Sequence, residues 1–299
     1  MIVFCGYANN DVTVHVPHLP VLGERVQATS IVSIDGGMNA NAAVAAARMG
    51  ASVVFAGAVG PDVRSTEFLS TLERDGIDTS WAPRGEFLSS AIVLIADGGD
   101  RSIISQDDAN DAPRIQSVLD RLAGVGGGRL FVDGYRAAIL PTELPDNVRL
   151  AIDLDGCADA DVALRAFALA EHVIVGRTLW ENTFGIGAEQ WPALTAEHDT
   201  HLVVTDGDRG WTLVTPSGIT ITEPAVAVDV VDAVGAGDCF CGAYIAFVDA
   251  GRTPLEAAHL AGAAAAFACA TAGPRGCPGP TELTHFIASL TTPDLQETS

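Results

Sequence analysis

Val230-Val231-Asp232-Ala233-Val234-Gly235-Ala236-Gly237-Asp238-Cys239-Phe240-Cys241-Gly242-Ala243 reads as a glycine-bracketed turn that runs into a helix. A strand-like apolar run, Ala225 to Val228, precedes it, and the helix continues to about Ala250. Gly235 and Gly237 let the backbone approach a ligand closely and take turns closed to other residues. The first amides of the helix then point outward with about half a positive charge behind them, which makes a cradle for an anion. Asp238 lies in the first turn, beside that cradle. An acid there is ordinarily a cap. Next to an anion site it also suits a base that takes a proton from a hydroxyl while a phosphoryl group is held in front of it.

Outward from this stretch, short β-branched runs alternate with Ala-rich helical stretches. Strands are predicted at Val53 to Ala56, Leu130 to Val132, Ala151 to Leu154, His172 to Val175 and Leu202 to Thr205. Helices are predicted at Asn41 to Met49, Thr66 to Asp75, from Asp111 to Leu122, Asp161 to Ala170, Ala236 to Ala250 and Pro254 to Ala270. Strands alternating with helices imply a mostly parallel sheet covered on both faces. Two regions break the rhythm. Val12 to Val16 with Gln27 to Ile34, and Ser89 to Ile95 turning through Asp97-Gly98-Gly99-Asp100 into Ser102 to Ser105, alternate apolar and polar residues. That period marks strands with one wet face. They predict a small antiparallel subdomain, about residues 11–34 and 88–106, inserted into one domain of residues 1–290. Its readings are an active-site lid, a dimer contact, or both, ahead of a merely decorative edge sheet. The tail 291–299 is expected to be disordered.

The 299 residues hold 38 acids against 16 bases, a formal net charge of −22. Such a surface repels nucleic acid and anionic membrane. All the bases are Arg; there is no Lys. That excludes the P-loop lysine, the protein-kinase strand lysine, Schiff-base chemistry and Ser–Lys hydrolases. Backbone amides are then the natural clamp for a phosphate. Six cysteines occur without a CxxC pair and read as small buried hydrophobes. The apolar start Met1 to Cys5 has no basic lead and reads as a first strand, and Ala261 to Ala270 is too short to span a membrane. A reducing, cytoplasmic setting is the expectation.

The Asp232–Gly242 segment resembles the second signature of the ribokinase-type (PfkB) carbohydrate kinases, D-T-x-G-A-G-D-x-F-x-G, with Asp232, Gly235, Ala236, Gly237, Asp238, Phe240 and Gly242 in register and Ala233 where Thr is usual. Asp35-Gly36-Gly37-Met38-Asn39-Ala40-Asn41-Ala42, leading into a helix that ends Arg48-Met49-Gly50, is similar to the first signature, G-G-x-x-x-N-x-A. Gly6-Tyr7-Ala8-Asn9-Asn10-Asp11 is similar to the family's G-x-x-N-x-D start. The resemblance spans roughly residues 1–290 and implies a ribokinase-like three-layer α/β/α sandwich with a small β lid. It implies transfer of the ATP γ-phosphoryl to a sugar hydroxyl, with Mg²⁺ bridging the phosphates. Asp238 would be the catalytic base, and the amides of Gly235, Ala236 and Gly237 the anion hole. Asp11, Asn9, Gly36, Gly37 and Asn41 would contact the sugar. Asn amides and bare glycine backbone suit a polyhydroxyl ligand, because each buried hydroxyl needs a partner.

Thr205-Asp206-Gly207-Asp208-Arg209-Gly210 resembles the family's T-x-G-x-x-G turn beside the nucleotide, and also reads as a plain hairpin into Trp211 to Val214. Thr205, Gly207, Arg209 and Gly210 are the candidates there. Asp232 and the loop Gly273 to Pro278 fall where some members bind a monovalent cation such as K⁺. The family's N-x-x-E magnesium motif is missing from Val175-Gly176-Arg177-Thr178-Leu179-Trp180-Glu181, where Glu181 stands two residues late. Ketohexokinases and sulfofructose kinases resemble this chain in that departure. In that branch an Arg lies near the far end of the sugar, at the place of Arg136. A ketose, a furanose or a derivative such as fructose or sulfofructose is the implied substrate. A nucleoside kinase of the same fold, a non-catalytic sugar sensor and a Rossmann oxidoreductase remain as rivals. The last lacks G-x-G-x-x-G after its first strand.

Overall fold

The computed structural model describes residues 1–85, 87–98 and 100–290. In chain order its elements are β1 (Ile2–Phe4), β2 (Asn9–Val16), β3 (Ser30–Gly36), α1 (Met38–Arg48), β4 (Val53–Phe55), α2 (Val63–Arg74), β5 (Ser89–Ala96), β6 (Arg101–Ser105), α3 (Ala112–Gly124), β7 (Gly128–Asp133), β8 (Val148–Asp153), α4 (Ala160–Leu169), β9 (His172–Gly176), α5 (Trp191–His198), β10 (His201–Thr205), β11 (Trp211–Val214), β12 (Thr220–Glu223), α6 (Ala236–Asp249), α7 (Pro254–Cys269) and α8 (Pro280–Leu290). Gly99 and the tail 291–299, for which the sequence predicts a turn position and disorder, lie outside the described residues.

Val3 and Cys5 point to one side of β1, Ile2 and Phe4 to the other, and all four are buried. A strand apolar on both faces needs cover on both. It sits inside an eight-stranded sheet of order β12-β11-β10-β9-β8-β7-β1-β4. From β10 to β4 neighbouring strands run parallel, while β11 and β12 close one edge antiparallel. Helices α1, α2, α6, α7 and α8 cover the Ile2/Phe4 face, and α3, α4 and α5 cover the other. The expected three-layer α/β/α sandwich is what forms.

The second sheet has order β3-β2-β5-β6. Its outer pairs are antiparallel, but the central pair β2–β5 is parallel. The wholly antiparallel reading is therefore corrected. Helix α1, strand β4 and helix α2 intervene between β2 and β5, and a crossover of that length delivers the second strand in the same direction. One further expectation fails: Ala225 to Val228 forms no strand. Strand β12 ends at Glu223, and Pro224, which lacks an N–H, stops the ladder.

The contact that positions the site is between α1 and α6. Gly242 stands against the carbonyl of Ala42 with no room for a Cβ, so the two helices meet backbone to backbone. The first signature begins α1 and the second begins α6. Their close crossing brings both helix starts to the same end of the sheet, at the carboxyl ends of the parallel strands, where open α/β sheets bind ligands.

Candidate active site

Asn41 and Asp238 are 197 residues apart in sequence, and the Asn41 Nδ2 donates to Asp238 Oδ2 at 2.9 Å. Asp238 is partly accessible, on the first turn of α6. Burial raises its pKa to about 6; the Asn41 hydrogen bond and the positive charge of Arg275 oppose that rise, and the negative charge of Asp155 adds to it. A carboxylate so poised is ionised at neutral pH and still basic enough to accept a proton.

Gly235 caps α6 in the left-handed conformation, φ 78°, with the Pro274 carbonyl where a Cβ would lie. The Ala236 amide bonds back to Ala233 O at 3.3 Å. The amides of Gly237 and Asp238 are among the orphan donors a helix start leaves. Among the described residues, nothing beyond its chain neighbours and its own helix backbone lies within 4 Å of the position a Gly237 Cβ would take, so the backbone there is open to a ligand. Asp232 lies beside this turn as a tie: its two oxygens accept from the Val234 and Gly273 amides, each at 3.0 Å.

The sugar-side candidates gather at the root of the small sheet. Strand register sets Asn9 opposite both Gly36 and Ser89. Asn9 Nδ2 donates to Asp11 Oδ1 at 2.7 Å. A Cβ on Gly36 would lie 2.5 Å from Asp11 Oδ2 and 2.6 Å from Asn9 Oδ1, so only glycine leaves these two oxygens in place. Asn9 Oδ1 is buried without a partner. Gly37, φ 96°, caps α1 against Ala8 and the Tyr7 carbonyl, which takes the amides of Asn39 and Ala40 at 3.2 and 3.4 Å. The start of α1 is thus closed by protein, while that of α6 is open. Arg136 is buried, not on the surface. Its guanidinium pairs with Asp107 at 2.7 Å and Asp108 at 3.0 Å.

The nucleotide-side candidates line a cavity of about 640 Å³ at the ends of β8, β9 and β10. Thr205, Gly207 and Arg209 are on its wall, with Asp155, Gly176 and Arg177. Gly210 is not on this wall; it lies against the backbone of Glu223 and Pro224, φ 99°, and serves the hairpin. Arg209 is held by Asp206 through two bonds, at 3.0 and 2.6 Å. Glu181 is occupied by Arg177 at 2.7 Å and is not on the wall.

Two acids that sequence reasoning did not single out lie at this end of the sheet. Asp153 ends β8, and Asp155 follows it on the cavity wall. Burial raises both carboxyls, Asp153 further by the charge of Asp155. Asp155 Oδ1 accepts from the Gly176 amide at 2.9 Å, and both its oxygens lie 3.2 Å from where a Gly176 Cβ would be. Absence of a side chain at 176 therefore makes the space Asp155 occupies. The available signal was Asp-x-Asp at the carboxyl end of a parallel strand.

A model of the pfkB family of carbohydrate kinases matches residues 1–150 and 160–281. The chain belongs to that family. It is a phosphotransferase with an alcohol acceptor, an ATP-dependent sugar kinase. The kinase is similar to the ribokinase of Bacillus subtilis, 26% identical over 282 residues that cover 91% of this chain and 93% of that protein. It is similar to the ATP-dependent ribose-1-phosphate kinase of Halopiger xanaduensis, 26% identical over 298 residues, 96% and 98% of the two chains. Its fold is that of Arabidopsis thaliana ribokinase solved with ribose and ATP, with TM-score 0.82, 21% identity and coverage of 97% and 98%. Among the described residues no helix is long and apolar enough to cross a membrane, and the six cysteines are free.

Proposed function

We propose that the kinase transfers the γ-phosphoryl of ATP to a hydroxyl of an uncharged furanose, with Asp238 as the base. The Asn41–Asp238 hydrogen bond carries the reading, because it joins the sugar signature to the phosphoryl signature. The acceptor hydroxyl lies between Asp238 and the open amides of α6. Asp238 takes its proton as the oxygen attacks in line, and the amides of Gly235, Ala236, Gly237 and Asp238 itself stabilise charge on the moving group. Asn9, Asp11, Gly36, Gly37 and Asn41 hold the remaining hydroxyls. Thr205, Gly207, Arg209 and the neighbouring Gly210 hairpin border the nucleotide.

Among the described residues no three His, Cys, Asp or Glu side chains converge as a metal cage. That fits magnesium, which keeps waters and uses one or two carboxylates plus substrate phosphates. Asp155 would hold it, with Asp153 buried behind, since Asp155 supplies hard oxygens on the nucleotide wall and Glu181 is committed to Arg177. The chemistry the ion would supply there is neutralisation of charge on the triphosphate. A monovalent cation such as K⁺ beside Asp232 belongs to the same reading, the carboxylate keeping lone pairs beyond its two amide bonds.

The uncharged substrate follows from charge. Among the residues placed around the acceptor, Asp11 and Asp238 are carboxylates, and Arg136, offered by resemblance for a sugar's far end, is engaged by Asp107 and Asp108. An anionic acceptor such as sulfofructose or a sugar phosphate would meet net repulsion. The nucleoside reading has one observation in its favour. Tyr7 and Tyr135 lie with ring centroids 5.3 Å apart at the sugar side, a surface on which a base could stack.

The lid's outer apolar residues Ile31, Ile103 and Ile104 are exposed and fit a homodimer contact. A cytoplasmic kinase with no nucleic-acid or membrane partner matches the net charge of −22 and the free cysteines. The test is ADP release with Mg²⁺ against ribose, fructose, ribose 1-phosphate, sulfofructose and adenosine, in NaCl and in KCl. Neutral furanoses should lead. Preference for either anionic sugar overturns the charge argument, and preference for adenosine overturns the substrate class. Equal rates in the two salts remove the K⁺ role.

A further inference from the structure

Arg275 lies in the loop between α7 and α8, with its side chain 14% exposed. Its Nε donates to Asn41 Oδ1 at 3.1 Å, and its Nη1 donates to Thr71 Oγ1 at 3.1 Å. The guanidinium carbon sits 5.5 Å above the Phe68 ring. Arg48, at the end of α1, grips the backbone of the same loop, donating to the carbonyls of Arg275 at 2.5 Å and Cys277 at 3.1 Å. Arg48 is itself fixed by Asp75 at 2.9 Å. The loop is therefore tied to α1 twice, and its one long side chain is delivered to the Asn41 amide.

A guanidinium has donors and no acceptor. An amide facing it must present oxygen, so its NH₂ must point the other way. For Asn41 the other way is Asp238. Without such a partner the two ends of the amide are nearly interchangeable in shape, and a flipped Asn41 would set a carbonyl oxygen against the carboxylate. We propose that Arg275 is a positioning residue that fixes the Asn41 amide so that it donates to Asp238, and thereby aligns the carboxylate for proton abstraction. No hydrogen bond joins Arg275 to Asp238: it reaches the carboxylate through the Asn41 amide and, at longer range, through its positive charge. The proposal rests on Asp238 being the base.

The other groups facing Asp238 are Asp153 and Asp155 from β8 and Cys239 and Cys241 on its own helix. None of them donates a hydrogen bond to the carboxylate in this structure, which leaves Asn41 as the donor that Arg275 controls.

A double-mutant cycle tests this. Arg275→Ala should lower kcat at saturating sugar by about 10- to 100-fold, the size that groups orienting a primary ligand commonly contribute. It should leave ATP affinity, read by calorimetry, within error of wild type. Its acid limb should move to higher pH, and guanidinium chloride at millimolar concentration should restore part of kcat. In Asn41→Ala the same Arg275→Ala change should have little further effect, because the amide it orients is gone. Additive losses, or a lost rate with an unmoved acid limb and no guanidinium rescue, would overturn the proposal. Should Arg275→Ala not fold, Arg275→Lys and Arg275→Gln carry the cycle: Lys, a cationic donor, should keep more activity than Gln, which can also accept, and the reverse order counts against it. The underlying reading fails separately. If Asp238→Asn turns over normally, Asp238 is not the base, whatever Arg275 does.

Discussion

Asp238→Asn is expected to bind ATP as the wild type does and to lose about 10²- to 10⁴-fold in kcat, the usual contribution of a general base. The substitution keeps the shape, the first turn of α6 and the open amides beside Gly237, so nucleotide affinity should survive in a calorimetric titration. What it removes is the negative group bonded to Asn41 at 2.9 Å. On the same reading this carboxylate should set the acid side of the pH profile. Burial raises it to about 6. Below that value it is protonated and cannot accept the hydroxyl proton, so kcat should fall as pH drops through about 6. A variant with near-normal turnover, or an acid limb that persists unchanged in the residual activity of Asp238→Asn, would remove Asp238 from the chemistry.

The second large effect concerns stability. Asp133 ends β7 wholly buried. Its Oδ2 accepts from the Tyr7 amide at 2.5 Å, while Oδ1 has no partner. Burial raises its pKa to about 7, against the opposing Tyr7 bond and the charge of Arg136. A raised folded-state value stabilises the protein while the proton is held. That contribution is complete below the unfolded value near 4 and is lost as pH rises through about 7. The gap between the folded and unfolded values corresponds to about 4 kcal/mol at most. Asp133→Asn carries no charge at any pH and can still accept from Tyr7. It should therefore melt higher than wild type at pH 8, and the difference should close as pH falls toward 5. A difference that stays constant across this range would show that the buried ionisation is not its source.

Much of this molecule was legible because its signals are local. Gly36-Gly37 and Gly235-Ala236-Gly237 announce helix starts through glycine's freedom, and both are where the residues placed them. The parallel strands were legible as short apolar runs, since burial on both faces leaves no polar alternation to confuse them. The direction of β5 was not, because alternation reports a wet face and says nothing about which way a strand runs. Ala225 to Val228 misled for a related reason. Apolar composition argues for a strand, but β12 ends at Glu223 and Pro224 stops the ladder. The acids proposed for magnesium were illegible at Gly176 taken alone. A missing side chain and an acid 21 residues earlier make sense only together, and nothing in the order of the chain pairs them. Arg136 and Arg209 show the same limit: sequence reveals a cation, but not the aspartates already holding it.

The backbone contact between Gly242 and Ala42 also bears on motion. It welds Asn41 to Asp238 as one rigid piece, whereas Asn9 and Asp11 travel with strand β2 of the small sheet. On the proposed reading, a hinge between the two sheets would part the acceptor's ligands from one another, not the base from its amide partner. Acceptor affinity and the degree of closure become linked quantities, so whatever favours the shut form tightens the grip on the sugar by the same factor that sugar favours shutting.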